Sequence, residues 1–356
     1  MQVLHQGGGA GSVTSTLHLS LGLVRAGCRV LFVCPPGSEV EAMAQAGGLE
    51  VHPIALAQSG RRANAARLAA LLDRYPADLI NSQSAKDRSA LVWLALTGRL
   101  RIPLIVTRRQ MPRSFPLETW LASRLASKVV AVSRAVGQAL VRWGTSPSKL
   151  AVIPNGLVTD RVDVPVTSAA VEEWRRRIGW EPSRRTVGIV SRPKDQAIVL
   201  RALERIRIPI RLVLAGVEPA SRLGRLAERV PARHAVVCVP FRPQVRALYD
   251  LLDLALLPSH SEGLSQALLE AMALGKPVIA SAATGNLEVI TDGVDGRLVD
   301  PFAPPAWAEA IEELLSQPAA ASRLGTAARH TARVTYSLER TVERTTDLYR
   351  SLVNPL

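Results

Sequence analysis

The chain has 356 residues, 47% of them hydrophobic and 21% charged, with a mean hydropathy of +0.14; this is enough apolar material for two or three buried cores and excludes a disordered or fibrous chain. Its net charge of +14 and pI near 10.8 come from 44 basic and 30 acidic residues, and all the basic ones but Lys86, Lys128, Lys149, Lys194 and Lys276 are arginine. Apolar runs such as LVWLAL at 91–96 fall far short of the roughly 20 residues a membrane helix needs, and Met1 runs into QVLHQGGG without the pattern of a signal peptide, so a cytoplasmic protein is expected.

The charge is uneven. Residues 61–149 carry 16 basic and 4 acidic side chains, net +12, whereas 186–356 carries 20 and 18, net +2. Such a field suits an anionic partner, a phospholipid surface or a phosphorylated acceptor; the plainer alternative is a solvated arginine-rich surface. Nucleic acid is disfavoured, because only 4% of residues are aromatic and no binding motif accompanies the charge. Cys28, Cys34 and Cys238 share no metal-like spacing and read as reduced thiols.

In chain order, short apolar runs alternate with helical patterns, which predicts an α/β chain with parallel sheets. The first series of strands is VLH at 3–5, RVLFVC at 29–34, DLINS at 78–82, LIVT at 104–107, VVAVS at 129–133 and LAVIP at 150–154. A strand-poor connector with one charged helix follows over 161–185. The second series is TVGIVS at 186–191, RLVLAG at 211–216, AVVCVP at 235–240, LALLP at 254–258, PVIAS at 277–281 and GRLV at 296–299. The expected division is 1–165, a first doubly wound Rossmann-like domain; 166–336, a second; and 337–356, a C-terminal helix crossing back to the first. Leu338, Val342, Thr345, Leu348, Tyr349 and Leu352 recur on that helix at near-helical spacing.

Ligands of open α/β sheets bind beyond the carboxyl ends of the strands. After LALLP, the loop SHSEG carries Glu262, and Ser265 can cap the apolar helix QALLEAMAL that ends at Gly275. The amides of Gly263, Leu264 and Ser265 would then form an anion site suited to a diphosphate. A carboxylate there accepts hydrogen bonds from hydroxyls, as a sugar diol offers. Glu270 lies in the helix among apolar residues and needs hydrogen-bond donors if buried, which a ribose would supply. The bland alternatives are a solvated loop acid at 262 and an arginine from another helix paired with Glu270.

The segment PSHSEGLSQALLEAMALGKPVIASAATGNLEVITDGVDGRLV at 258–299 closely resembles the donor-binding signature of the retaining glycosyltransferases of family 4, which have the GT-B fold: two doubly wound Rossmann-like domains facing an interdomain cleft. The resemblance extends to GGGAGS at 7–12 with LVRAGCRVLFV, to AVSRAVGQAL and LAVIPNGLV, and to GIVSRPKDQAIVLRAL at 188–203, nearly the whole chain. It implies transfer of a hexosyl unit from a UDP- or GDP-sugar with retention and without a metal or other cofactor. Glu262 would contact the transferred sugar and Glu270 the ribose, while Arg192 and Lys194 would grip the diphosphate. The leaving phosphate would help to deprotonate the acceptor.

The same resemblance assigns Gly8, Gly9 and Ala10 to the sugar phosphates and acceptor, Val239 and Phe241 to the nucleobase through their backbones, and Thr284 and Gly285 of TGN to further phosphate donors. Three departures stand out. Arg192 and Lys194 are closer together than is usual in the family. Pro240 replaces a usual glycine. Where many members carry a histidine after the strand DLINS, this chain has Gln83 or Ser84, and Gln83 can replace that residue's hydrogen bonding but not its titration. Arg108 and Arg109 of TRRQMPRS follow the next strand and suit bidentate contacts with an anionic acceptor. The GGGAGS loop is not a dinucleotide fingerprint, because Ser12 stands at the third glycine position and no acid ends the second strand.

The expected partners are therefore a nucleotide-sugar donor and a glycan, lipid-linked or lipopolysaccharide-type acceptor, with peripheral contact at the inner face of an anionic membrane and no nucleic acid. Two alternatives remain: a GT-B sugar-nucleotide epimerase, which needs an acid and histidine set not assembled here, and a degenerate, non-catalytic protein that binds a nucleotide sugar or a partner.

Overall fold

In a computed structural model, residues 1–8, 11–56, 60–112, 116–242 and 244–353 are described, so Gly9 and Ala10 lie outside the described residues. The chain divides into two compact units, Met1–Gly156 with Ser337–Leu356, and Leu157–Tyr336.

The first unit holds seven parallel strands: β1 (Gln2–Val3), β2 (Leu31–Cys34), β3 (Glu50–Pro53), β4 (Ile80–Ser82), β5 (Leu104–Arg108), β6 (Lys128–Ala131) and β7 (Leu150–Val152), in the order β3-β2-β1-β4-β5-β6-β7. The second holds six, β8 (Arg185–Val190), β9 (Ile210–Ala215), β10 (Ala235–Val239), β11 (Leu254–Leu257), β12 (Val278–Ser281) and β13 (Arg297–Val299), in the order β10-β9-β8-β11-β12-β13. All the strand pairs are parallel. The central strands are buried on both faces, which is why they read as continuous apolar runs rather than alternating ones. In each sheet the strand order reverses once, between β1 and β4 and between β8 and β11, the place where doubly wound sheets bind ligands.

Every expected strand is present within about two residues, and one additional strand is found: β3, whose sequence EVHP alternates charge with an apolar residue and ends in proline. It lies at the sheet edge, where proline is tolerated. The boundary between units falls at 156–157, nine residues before the expected 165–166. After Gly156 the chain makes a 3₁₀ turn, Thr159–Arg161, that packs within the second unit, so its side chains serve that unit's core.

The C-terminal helix Leu338–Val353 belongs to the first unit and buries Leu338, Val342 and Tyr349 in a cluster with Leu19, Leu23, Ile105 and Val130. Gly22 makes that docking possible, since a Cβ there would lie 2.3 Å from Val342 Cγ2. The second unit's main core gathers around the fully buried Trp307, between the sheet and the helices Ala197–Ala202 and Pro304–Ser316. Among the described residues no helix is long and apolar enough to cross a membrane.

Candidate active site

In the second unit two loops leave adjacent strands at the switch point, residues 191–196 after β8 and 258–265 after β11. The first is organised by Gln196, fully buried, whose Nε2 donates to Ser191 Oγ (3.0 Å) and to the Arg192 carbonyl (2.8 Å). That curl presents Lys194 to the second loop, where its Nζ donates to Glu262 Oε1 and forms an ion pair. Arg192 is exposed. Thus the compact turn aims one of the two predicted cations at the acid and leaves the other facing solvent. Asp195 fastens the loops a second time, accepting from the His260 N–H (3.0 Å) and contacting its Nδ1 (2.7 Å).

Ser265 caps the helix Gln266–Ala273, its Oγ accepting from the Leu268 N–H. Among the described residues the amides of Gly263, Leu264 and Ser265 donate to no acceptor, so three N–H groups stand at the positive end of the helix beside Lys194 and Glu262. This concentration of donors and positive charge next to a carboxylate can hold an anion and a hydroxyl-bearing group together.

The turn that contains Thr284 and Gly285 has a different task from the expected one. The Gly285 N–H donates to the Glu262 carbonyl (3.1 Å), and a Cβ on Gly285 would lie 2.0 Å from the Gly263 carbonyl oxygen. Thr284, held at φ +45°, accepts from the Glu262 N–H at 2.8 Å. The Gly285 amide is therefore spent on positioning the Glu262 loop rather than offered to a phosphate. Val239 is corrected in the same way: its carbonyl accepts from the amides of Gly216 (2.8 Å) and Val217 (3.1 Å), because β10 ends there against β9. Phe241, 50% exposed, is left as the candidate for base contact.

Glu270 is 3% exposed, and Arg161 of the 3₁₀ turn reaches it, Nε to Oε1 3.2 Å. Burial pushes the Glu270 carboxyl up to about 7, with Arg161 opposing. The nearby Tyr249 phenol is also raised, by burial first and then by Glu270. An arginine partner and a ribose are compatible, because a carboxylate has lone pairs for both.

In the first unit the expected acceptor residues divide. Arg109 donates to Gln83 Oε1 (2.9 Å) and to Asn155 Oδ1; Gln83, 4% exposed, passes its Nε2 hydrogen to Gln2 (2.7 Å). Gln2 and Asn81 both donate to the Tyr349 hydroxyl on the C-terminal helix. Gln83 is thus consumed inside a polar network and does not present its amide outward. Arg108 points to the other side of β5, toward Thr119 and Arg88, because successive side chains on a strand alternate. The two arginines therefore cannot grip one anion as a neighbouring pair. Gly8 is exposed, and a Cβ on it would meet nothing within 4 Å.

At the end of β1, His5 Nδ1 lies 2.6 Å from Ser84 Oγ and 3.1 Å from the fully buried Asp87. Burial raises the Asp87 carboxyl, but hydrogen bonds from His5, Ser84 and Ser82 outweigh it and hold the group below the ordinary range. Sequence reading missed His5, Asp87, Arg161, Asn155 and the Asp195–His260 pair. Only Asn155, inside the motif LAVIPNGLV, carried a local signal.

Sequence models of two families match the chain: Glycosyltransferase Family 4 over residues 9–161 and Glycosyl transferases group 1 over 171–331. A D-inositol 3-phosphate glycosyltransferase of Corynebacterium urealyticum is 33% identical over 227 residues, 59% of this chain; the match spans only 53% of that relative, about half its length. An alpha-maltose-1-phosphate synthase of Mycobacterium tuberculosis is 29% identical over 80% of this chain and 84% of its own. Among solved structures, Anabaena HepE in complex with UDP-glucose has a TM-score of 0.83 with 99% of both chains covered, and WaaG, a glycosyltransferase involved in lipopolysaccharide biosynthesis, has 0.71 with 98% of both. At 20% and 18% identity these likenesses are of fold, and the fold is GT-B.

Proposed function

The chain belongs to the family 4 glycosyltransferases, and from that premise we propose that it moves a hexosyl unit from a nucleotide-diphosphate sugar to a glycan, lipid-linked or lipopolysaccharide-type acceptor, with retention at the anomeric carbon and without a metal. The observation that carries this reading is the Lys194–Glu262 pair at a helix N-terminus with three unengaged amides, one helical turn from the buried Glu270.

In this reading the diphosphate lies on the amides of Gly263, Leu264 and Ser265, with Lys194 beside it and Arg192 swinging in from solvent. Glu262 accepts from hydroxyls of the transferred sugar, and Lys194 is shared between the acid and the phosphate. As the glycosidic bond breaks, charge grows on the leaving diphosphate, where Lys194 and the helix N-terminus stabilise it in advance. The leaving phosphate takes the acceptor's proton. Glu270 holds the ribose and is itself held by Arg161. Phe241 lies against the base; the UDP-glucose bound by Anabaena HepE favours uridine there. The relatives' names, with inositol 3-phosphate and maltose-1-phosphate, favour a phosphorylated acceptor.

Saturation-transfer NMR against UDP- and GDP-sugars tests the donor site. One donor should bind to the wild type and be lost in Glu270→Ala; equal binding by both proteins would remove the assignment.

A further inference from the structure

Arg88, on the helix Ala85–Leu96, was not singled out by its sequence, yet it shares a corner with Arg108 at the carboxyl end of β5. Its Nη1 reaches the Ser84 carbonyl at 3.4 Å, its Nη2 stands 3.6 Å from Glu118, and its Nε–H is buried without an acceptor among the described residues. Arg108 has Thr119 Oγ1 at 3.5 Å, the long limit of a hydrogen bond. Glu118, the carboxylate beside Arg88, is 45% exposed whereas Arg88 is 13% exposed, and Arg108 has no ion pair among the described residues. Burial and then repulsion from Arg88 lower Arg108 to about 10, with Glu118 opposing.

A structural arginine looks different in this same molecule. Arg233 spends its guanidinium on the carbonyls of Ile206 (2.9 Å) and Glu204 (2.8 Å). Among the described residues Arg88 keeps its Nε–H unspent and Arg108 has only the long contact with Thr119, so the pair carries an excess of positive charge in a partly desolvated place, which is costly without an anion. We propose that Arg88 and Arg108 bind a phosphate group of the acceptor, displacing Glu118, which serves as their internal counter-ion in the unliganded protein. This rests on the glycosyltransferase reading only in calling the ligand an acceptor. Phosphate fits better than a carboxylate because a dianion balances both guanidiniums and offers enough oxygens for their forked donors.

The test is a titration of the full chain, labelled with ¹⁵N-arginine, with inorganic phosphate at constant ionic strength, following the Nε–H signals of Arg88 and Arg108. Both signals should move with one dissociation constant. Arg108→Lys should weaken that constant about tenfold, the effect of losing a charge-assisted contact. Glu118→Gln, an exposed change that does not endanger folding, should tighten it several-fold because the competitor is gone. Signals that ignore both inorganic phosphate and phosphatidic acid vesicles, that respond equally to chloride or acetate, or an affinity untouched by Glu118→Gln would overturn the proposal. Phosphatidylcholine vesicles with and without phosphatidic acid separate the sources: a response only to phosphatidic acid assigns the phosphate to a lipid headgroup, and a response in free solution assigns it to a small acceptor. Donor binding is read in parallel. A phosphate response without any nucleotide-sugar binding would sink the transferase reading and leave the anion site standing; the reverse would sink only the anion site.

Discussion

The two units present arginines and lysines at the same place in the same kind of sheet, beyond the carboxyl ends of strands at a reversal of strand order, but they treat those charges oppositely. In the second unit the buried carboxylates and the loop pair are matched, Lys194 with Glu262, Arg161 with Glu270 and, when His260 is charged, His260 with Asp195, while Arg192 faces solvent. In the first, Arg109 is caged by the neutral oxygens of Gln83 and Asn155, while Arg88 has only the part-exposed Glu118 and Arg108 the Thr119 hydroxyl beside it. A matched site is stable when empty and must rearrange its pairs to bind. An unmatched one waits for an anion. The net +12 of residues 61–149 against +2 for 186–356 is the same contrast on the scale of sequence.

The sharpest way to break the contrast is at the matched pair. Lys194→Met should reduce the transfer rate by about a hundred- to a thousandfold, as expected for loss of a preorganised charge at a leaving group. Steady-state kinetics with saturating donor would show it; an unchanged rate would remove Lys194 from the chemistry. Next in size is Arg109, whose loss strands the oxygens of Gln83 and Asn155. Arg109→Ala should cost about 1–3 kcal/mol of stability in urea unfolding, the usual penalty for buried groups left unpaired. A neutral result would mean that water replaces the guanidinium.

A smaller effect separates Glu270 from ordinary acids. Its carboxyl is raised to about 7 by burial, so between the unfolded chain's ordinary carboxylate range and pH 7 the folded state holds a proton that the unfolded state has released. Stability from this group is therefore greatest at the acid end of that window and falls as pH rises through it. If Glu270 holds the ribose as proposed, the ionised form is the better acceptor for its hydroxyls, so affinity for the nucleotide-sugar donor should rise between pH 6 and 8, and Glu270→Gln should flatten the profile. Titration calorimetry across that range decides it. The smallest effect is at His260: its pair with Asp195 is exposed, and His260→Ala should change stability by less than about 1 kcal/mol. A larger loss would show that the pair fastens the two loops cooperatively.

How much of this was legible beforehand follows from the kind of information each feature needs. The parallel α/β class, the six strands of the second unit, the cap at Ser265 and the placement of Glu262 and Glu270 all follow from local pattern, because apolar runs, turn residues and helix caps act over a few neighbouring residues. The edge strand β3 did not, since EVHP has neither the length nor the apolar content of a buried strand and is held by its pairing with β2. Tertiary structure alone decided what each charge touches. Arg161 meets Glu270 across 109 positions, His5 meets Asp87 across 82, and Arg109 meets Asn155 across 46. It also decided that Arg108 and Arg109, adjacent in sequence, act on opposite faces of a strand. Hydrophobic patterning depends on periodicity along the chain and survives in one dimension. The partner of a buried charge is chosen by distance in space and by the lack of competing water, and neither is written in the residues beside it.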